Sequence, residues 1–380
     1  MKLGVLRENE PGEERVALVP ETVKKLKAKK LDTVVERGAG ALAGFADADY
    51  EAAGAELGDR AAVLAVDAVF TVARTRTELA RELRSGAALI GLQYPLSTPD
   101  FVQAAVQQKL RTIALDLIPR TTLAQSMDVL SSQANLAGYW AVVAASSRLF
   151  KIFPLLMTAA GTISPARVLV MGVGVAGLSA IGTARRLGAV VEATDVRPET
   201  KEQVESLGAK FVAVEGVEYR AGTGGYAAEQ SDEYKAKQAE VVSAAIARAD
   251  VVITTALVPG RRAPRLVSDA QLASMRRGSV VVDLAASQGG NVEIANGEAG
   301  DGDEVVQHGV LVLRPRDAAS RVAFHASQAF SRNMGNLLLH LTADGEWKAD
   351  LAEEIAAGCT ITKDGEIVNA RVRDALAKAV

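Results

Sequence analysis

The stretch Val168 to Arg197, VLVMGVGVAGLSAIGTARRLGAVVEATDVR, constrains this chain more than any other. An apolar run from Val168 to Met171 meets Gly172, Gly174 and Gly177 in G-x-G-x-x-G spacing, and a helical pattern from Leu178 to Leu187 follows. A second apolar run, Ala189 to Thr194, ends at Asp195, eighteen residues past the last glycine. Strand, tight turn, helix, strand and acid in this order are the signature of a dinucleotide-binding βαβ unit. The first glycine allows the turn, the second lets the backbone approach a pyrophosphate, and the third lets the helix pack on the strand. The phosphates then sit on the helix N-terminus. The cofactor-binding candidates are therefore Gly172, Gly174, Val175, Ala176 and Gly177 for the pyrophosphate, and Asp195, Val196 and Arg197 for the adenosine ribose. A carboxylate at Asp195 favours a free 2′-hydroxyl, hence NAD over NADP, whereas the cationic Arg197 works against that preference.

The rest of the chain alternates in the same manner. Lys2 to Leu6, Thr33 to Glu36, Asp67 to Val72, Ala87 to Leu92 and Arg111 to Leu115 read as strands, with helical patterns at Pro20 to Lys30, Thr77 to Arg84 and Pro99 to Lys109. Beyond the glycine turn come a strand near Phe211 to Val214, a helix near Lys235 to Ala249, and strands at Val251 to Thr255, Val280 to Leu284 and Val310 to Leu313. The fold class is α/β, with two Rossmann-like, doubly wound parallel-sheet domains. Long helical patterns, Val129 to Phe150 and Ala323 to Thr342, are expected to join them and leave a cleft between. The expected domains are 1–128 with 324–380, which lacks the glycine fingerprint, and 129–323, which includes the linker helix 129–150. About twenty residues separate Val214 from the helix near Lys235, and a connection that long is usually functional or disordered. Its glycine-flanked Tyr226 suggests a mobile lid over roughly 216–234.

Composition narrows the function classes. A formal net charge of -3 with both signs interspersed offers no basic face for nucleic acid. One cysteine, Cys359, excludes an internal disulfide framework and a multi-cysteine zinc site. No metal site is expected, and Cys359 reads as a small buried residue near a C-terminal strand. The opening MKLGVLRENE has no signal-peptide core, and no apolar stretch reaches the length that spans a bilayer, so a cytoplasmic protein without a transmembrane segment is expected.

A dehydrogenase of alcohols or amines must move a proton with the hydride, which calls for a titratable side chain beside the nicotinamide. None of the three histidines, His308, His325 and His340, follows a sheet strand at the expected cleft. Transfer between two nicotinamides needs orientation alone. Arg120, Gln125 and Asp128, in the polar insert before the long helix, suit that role. Arg120 and Asp128 can pair and hold a carboxamide, and Gln125 can bond a ribose or carboxamide.

Five motifs together, Arg-Thr-Thr-Leu-Ala-Gln-Ser-Met-Asp at 120–128, the GVGVAG turn, Gly-Gly-Tyr at 224–226, Ile-Thr-Thr-Ala-Leu-Val-Pro-Gly at 253–260 and Val-Asp-Leu-Ala-Ala-Ser-Gln-Gly-Gly-Asn at 282–291, resemble domain I of proton-translocating NAD(P)+ transhydrogenase. The resemblance covers nearly the whole chain. It implies an NAD(H)-binding subunit that passes hydride to or from NADP(H) held on a partner subunit, together with a membrane-spanning subunit that couples transfer to proton translocation. It also implies a homodimer, peripheral on the cytoplasmic face. By the same resemblance Arg120, Gln125, Asp128 and Ser131 form the loop by the nicotinamide, Tyr139 lies near it, and Gly225, Tyr226, Thr255, Ala256 and Leu257 contribute to the cofactor site.

Alanine dehydrogenase shares this fold. Arg15, in Glu-Glu-Arg-Val-Ala-Leu, resembles that enzyme's substrate arginine, but Gln93 stands in the region of its catalytic histidine and Ser287 where an aspartate precedes Gln-Gly-Gly. Arg74 or Arg76 replaces its substrate-binding lysine. The alternatives to a transhydrogenase subunit are thus an amino-acid dehydrogenase and a non-catalytic NAD-sensing module.

Overall fold

Short apolar runs covered on both faces make the strands of this protein, and two parallel-dominated sheets result. The computed structural model describes residues 1–197, 199–213, 232–258, 262–294, 303–348 and 350–377. Gly225 and Tyr226, and most of the expected lid 216–234, lie outside them; its last three residues open the helix Asp232–Arg248. The chain divides into two units, Met1–Gln133 with Ala319–Val380, and Ala134–Ala318. The helix Val129–Arg148 begins in the first and continues in the second.

In the first unit eight strands lie in the order Glu366–Ile367, Thr360–Lys363, Arg111–Ala114, Ala88–Gly91, Ala68–Phe70, Lys2–Val5, Asp32–Glu36, Glu56–Gly58. The six that come first in the chain are parallel, and the two C-terminal strands add antiparallel at one edge. Leu3, Val5, Phe70 and Ile90 face one core, whereas Val69, Leu89 and Ala114 face the other. That two-sided burial is why the strands read as unbroken apolar runs. The helix Ala323–Leu341 lays Phe330, Met334, Leu337, Leu338 and Leu341 into the first core at helical spacing, each contributing about 1.5–3 kcal/mol. Cys359 closes the helix Glu354–Cys359; burial pushes its thiol up to about 12.

In the second unit seven strands run Lys210–Phe211, Val190–Thr194, Arg167–Met171, Val251–Thr254, Val280–Asp283, Val310–Leu313, Glu304–Gln307, and all pair in parallel except the last. Counted along the chain, the order is 3-2-1-4-5 before a final 7-6, so the winding reverses between Arg167–Met171 and Val251–Thr254. Crevices of parallel sheets open at such a reversal, beyond the carboxyl ends of the strands. Thr194 and Thr254 both stand level with Met171, so Asp195, Gly172 and Thr255 emerge side by side.

Several elements were not foreseen, among them the short helices Asp47–Ala52, Arg60–Leu64, Thr200–Ser206 and Asp269–Ser274. Glu56–Gly58 and Glu304–Gln307 are short edge strands. A hairpin, Leu156–Thr158 with Gly161–Ile163, belongs to neither sheet and is exposed along its whole length. Among the described residues no helix is long and apolar enough to cross a membrane.

Candidate functional site

The glycine turn leaves the strand Arg167–Met171 and enters the helix Val175–Arg186. Gly172 has φ of +103°, and a Cβ there would sit 2.5 Å from Thr255 Oγ1. A Cβ on Gly177 would lie 1.9 Å from Gly172 O, whereas one on Gly174 would meet nothing within 4 Å. The outer two glycines are thus demanded by the turn itself. Gly174 is not; a bare backbone at this exposed position leaves room for a ligand to approach. The N-terminus of the helix, at the exposed Val175 and the half-buried Ala176, presents its first-turn N–H groups to that approach.

Asp195 braces the turn from the next strand. Its Oδ2 accepts from Val173 N at 2.7 Å and from Arg197 Nη2 at 3.0 Å. Its Oδ1 accepts from Arg197 N and Nε, both at 2.9 Å. Burial pulls the carboxyl upward, but the Arg197 side chain and the two backbone N–H groups together hold it below the usual carboxylate range. Val196, between the two, is 57% exposed.

The loop after Val251–Thr254 forms the opposite wall of the turn. Thr255 Oγ1 donates to Gly172 O at 3.0 Å, and Ala256 is clamped by Asn291, whose Nδ2 donates to Ala256 O and whose Oδ1 accepts from Ala256 N. Asn291 is fully buried and is itself set by Asp283, which accepts from the N–H groups of Ala285, Asn291 and Val292. Leu257 then projects outward, half exposed. Asp283 and Asn291 stood in a quoted motif without a role; the signal was an acid ending an all-apolar strand, eight residues before an asparagine. Sequence reasoning also missed Gly138, where a Cβ would be 2.1 Å from Ala176 O, so the helix Val129–Arg148 presses against the first turn of the glycine-turn helix. Tyr139 follows it and is 46% exposed.

Arg120, Gln125, Asp128 and Ser131 lie in the first unit. The expected pairing of Arg120 with Asp128 is not formed among the described residues, because Asp128 is committed as a helix cap. It accepts from Ser131 N at 2.9 Å and Ser131 Oγ at 2.6 Å, satisfying the start of Val129–Arg148. Arg120 is exposed. Gln125 is carried on the 3-10 turn Leu123–Met127, which buries Ala124 and Met127 and leaves Gln125 outward. Asn333 and Asn336 both donate to Ser126 O, at 2.8 and 3.0 Å, and fix that turn to the helix Ala323–Leu341.

The groups that matter for amino-acid oxidation are placed differently. Arg15 is buried, with Nε and Nη2 held by Glu13 at 2.7 and 2.6 Å and Nη1 by Gln133 at 2.8 Å. Gln93 is fully buried and donates to Leu89 O, its Oε1 having no partner among the described residues. Ser287 is exposed in the turn Ala286–Gln288. His308 is bonded to Asp269 and His340 to Glu353, while His325 lies exposed beside Phe324.

The N-terminal domain of the family described as alanine dehydrogenase/PNT matches residues 4–137, and its C-terminal domain matches 141–370. A relative from Rhodospirillum rubrum, named as the first part of an NAD(P) transhydrogenase subunit alpha, is 44% identical over 381 residues, 97% of this chain and 98% of that one. The crystal structure of a transhydrogenase from Sinorhizobium meliloti superposes with a TM-score of 0.84 at 42% identity, covering 98% of this chain and 100% of that one. An L-alanine dehydrogenase structure superposes almost as well, with a TM-score of 0.82 and full coverage of both chains, but at 25% identity. Fold alone does not separate the two activities; the chain belongs to the alanine dehydrogenase/PNT family of NAD-binding oxidoreductases, and its identity is higher to the NAD(P) transhydrogenase alpha subunits than to the alanine dehydrogenase structure.

Proposed function

We propose that the chain is the NAD(H)-binding subunit of a proton-translocating transhydrogenase. It passes a hydride directly between NADH and NADP+ held on a partner subunit, with a membrane-spanning subunit coupling transfer to proton movement. The observation that carries this reading is the likeness, over nearly the full length of both chains, to a relative named as the first part of a transhydrogenase alpha subunit. Local geometry supports it. The turn at Gly172–Gly177 and the N–H groups of Val175 and Ala176 receive the pyrophosphate, and Asp195 takes the adenosine ribose. Thr255, Ala256 and Leu257 form a wall held by Asn291. The bound dihydronicotinamide supplies the hydride. Gln125, presented on an anchored turn, and Arg120 orient the ring through its carboxamide, while Asp128 and Ser131 fix the start of the helix that carries Tyr139. Orientation by these groups is sufficient when no proton accompanies the hydride to its acceptor.

The amino-acid dehydrogenase reading is disfavoured by Arg15, whose guanidinium is already spent on Glu13 and Gln133. In the complex the chain acts as a homodimer, peripheral on the cytoplasmic face of the membrane. The test is reconstitution with the NADP(H)-binding and membrane subunits, followed by a transfer assay. NADH-dependent reduction of NADP+ is expected only when the partner is present. Asp195→Ala weakens NADH binding, and Gln125→Asn slows transfer more than it weakens binding. Full-rate transfer by the isolated chain overturns the division of labour. Alanine-dependent NAD reduction would make it a dehydrogenase, and tight NADH binding without transfer in the complete complex would make it a sensor.

A further inference from the structure

Asp195 has no acceptor site to spare. A carboxylate offers about four lone-pair positions, and four donors use them here: Val173 N, Arg197 N, Arg197 Nε and Arg197 Nη2. The Asp195 side chain is only 6% exposed as a result. Two of these donors are backbone groups, one within the glycine turn and one just past the strand, and they cannot leave without rebuilding the turn. The other two hang on the rotatable Arg197 side chain, which is 34% exposed and whose Nη2 also donates to Val173 O at 3.4 Å. A guanidinium fork donating to both oxygens of a carboxylate offers the same donor pattern as the two vicinal hydroxyls of a ribose.

We propose that Arg197 is a reversible stand-in for the ribose diol: its fork fills the ribose subsite on Asp195 and is displaced by the 2′- and 3′-hydroxyls of the incoming nucleotide. This rests on the NAD(H) reading of the second unit. Arg197 is then a specificity residue acting by competition. Every ribose that enters must first break the Arg197–Asp195 pair, so the pair lowers affinity. It also blunts discrimination, because a ribose lacking one hydroxyl does not leave the carboxylate bare while Arg197 can turn back to it. Without the side chain, a missing hydroxyl leaves a half-buried charge short of a donor, the costly case for any polar site.

Calorimetric titration of the full chain with ADP and 2′-deoxy-ADP tests this, using wild type, Arg197→Ala, Arg197→Lys and Asp195→Ala. Arg197→Ala is expected to tighten ADP about threefold or more, and to widen the preference for ADP over 2′-deoxy-ADP from a few-fold to about tenfold. Arg197→Lys, which keeps the charge but not the fork, falls between the two. If Arg197→Ala lowers the melting temperature, Arg197→Gln takes its place in the same comparison. Weakening of ADP by the arginine variants as large as that in Asp195→Ala overturns the proposal and makes Arg197 part of the fixed platform. An unchanged ratio between the two nucleotides overturns it equally. If wild type binds neither ADP nor NADH, the NAD(H) reading itself fails, an outcome distinct from wild type binding both with no effect at Arg197.

Discussion

At the scale of single residues, the three glycines of the turn separate folding from binding. Gly177→Ala drives a Cβ to 1.9 Å from Gly172 O, inside any permitted contact, so the turn must shift. A loss of about 1–3 kcal/mol in stability is expected, and with it loss of NADH binding; denaturant titration and NADH fluorescence measure the two. Gly182, in the interior of the same helix, has nothing within 4 Å of its would-be Cβ, and Gly182→Ala should add about 0.5–1 kcal/mol and leave NADH binding alone. Glu8 makes a prediction of a different kind. Burial pushes its carboxyl from the ordinary 4.5 up to about 7; the Val72 N–H opposes this, the nearby Glu13 adds to it, and Arg15 opposes it. An acid raised in the folded state keeps its proton where the unfolded chain has lost it. Stability therefore falls as pH rises from about 4.5 to about 7, and levels off above. Glu8→Gln keeps an oxygen for Val72 N–H and should flatten that slope in melts taken between those limits. An unaltered slope would place the titration elsewhere.

At the scale of elements, the central parallel strands were legible because they are buried on both faces and so spell unbroken apolar runs. The long helices were legible because Phe330, Met334, Leu337 and Leu341 recur at helical spacing over a single core. What escaped were elements whose residues carry no such pattern. Glu304–Gln307, an edge strand with Val306 70% exposed, and the wholly exposed hairpin at Leu156–Ile163 have no core face to leave a period in the sequence. In the candidate site, the glycine spacing and Asp195 were readable since backbone geometry restricts which residues can occupy them. The pairing of Asp128 was misread because a loop's composition gives its charges without saying which will cap the helix that follows. The anchor of the loop was invisible for another reason: Asn333 and Asn336 stand more than two hundred residues from Ser126. Their removal tests whether the anchor serves orientation. Asn333→Ala with Asn336→Ala leaves Ser126 O without side-chain donors and is expected to cost about 1–3 kcal/mol of stability. Transfer in the reconstituted complex should slow more than NADH affinity falls, by about tenfold or more, since a misplaced ring is penalised steeply. Parallel losses in both quantities would reduce the anchor to a purely structural role.

At the scale of the whole molecule, the hairpin bears on the proposed homodimer. From Ile152 to Pro165 the chain has fourteen residues without a single charge. Leu155, Leu156, Met157 and Ile163 are 54%, 45%, 80% and 44% exposed. A two-stranded hairpin with both faces in water is marginal by itself, and apolar surface this contiguous usually marks an interface. These four side chains stay open to water among the described residues of their own unit, while Phe153 and Pro154 at the base of the hairpin are tied down, the first by burial and the second against Gly188. An arm fixed at its root and uncharged along its length suits a second copy of the same chain, since a closed twofold contact covers two such arms at once and leaves no apolar surface to propagate. Light scattering on the isolated chain is accordingly expected to give a dimer. Met157→Asp with Leu155→Asp, both in exposed positions, should give a monomer with an unchanged melting profile of its separate units and retained NADH binding. A dimer that survives the double variant would move the interface elsewhere, and a wild-type monomer would leave the arm to one of the partner subunits.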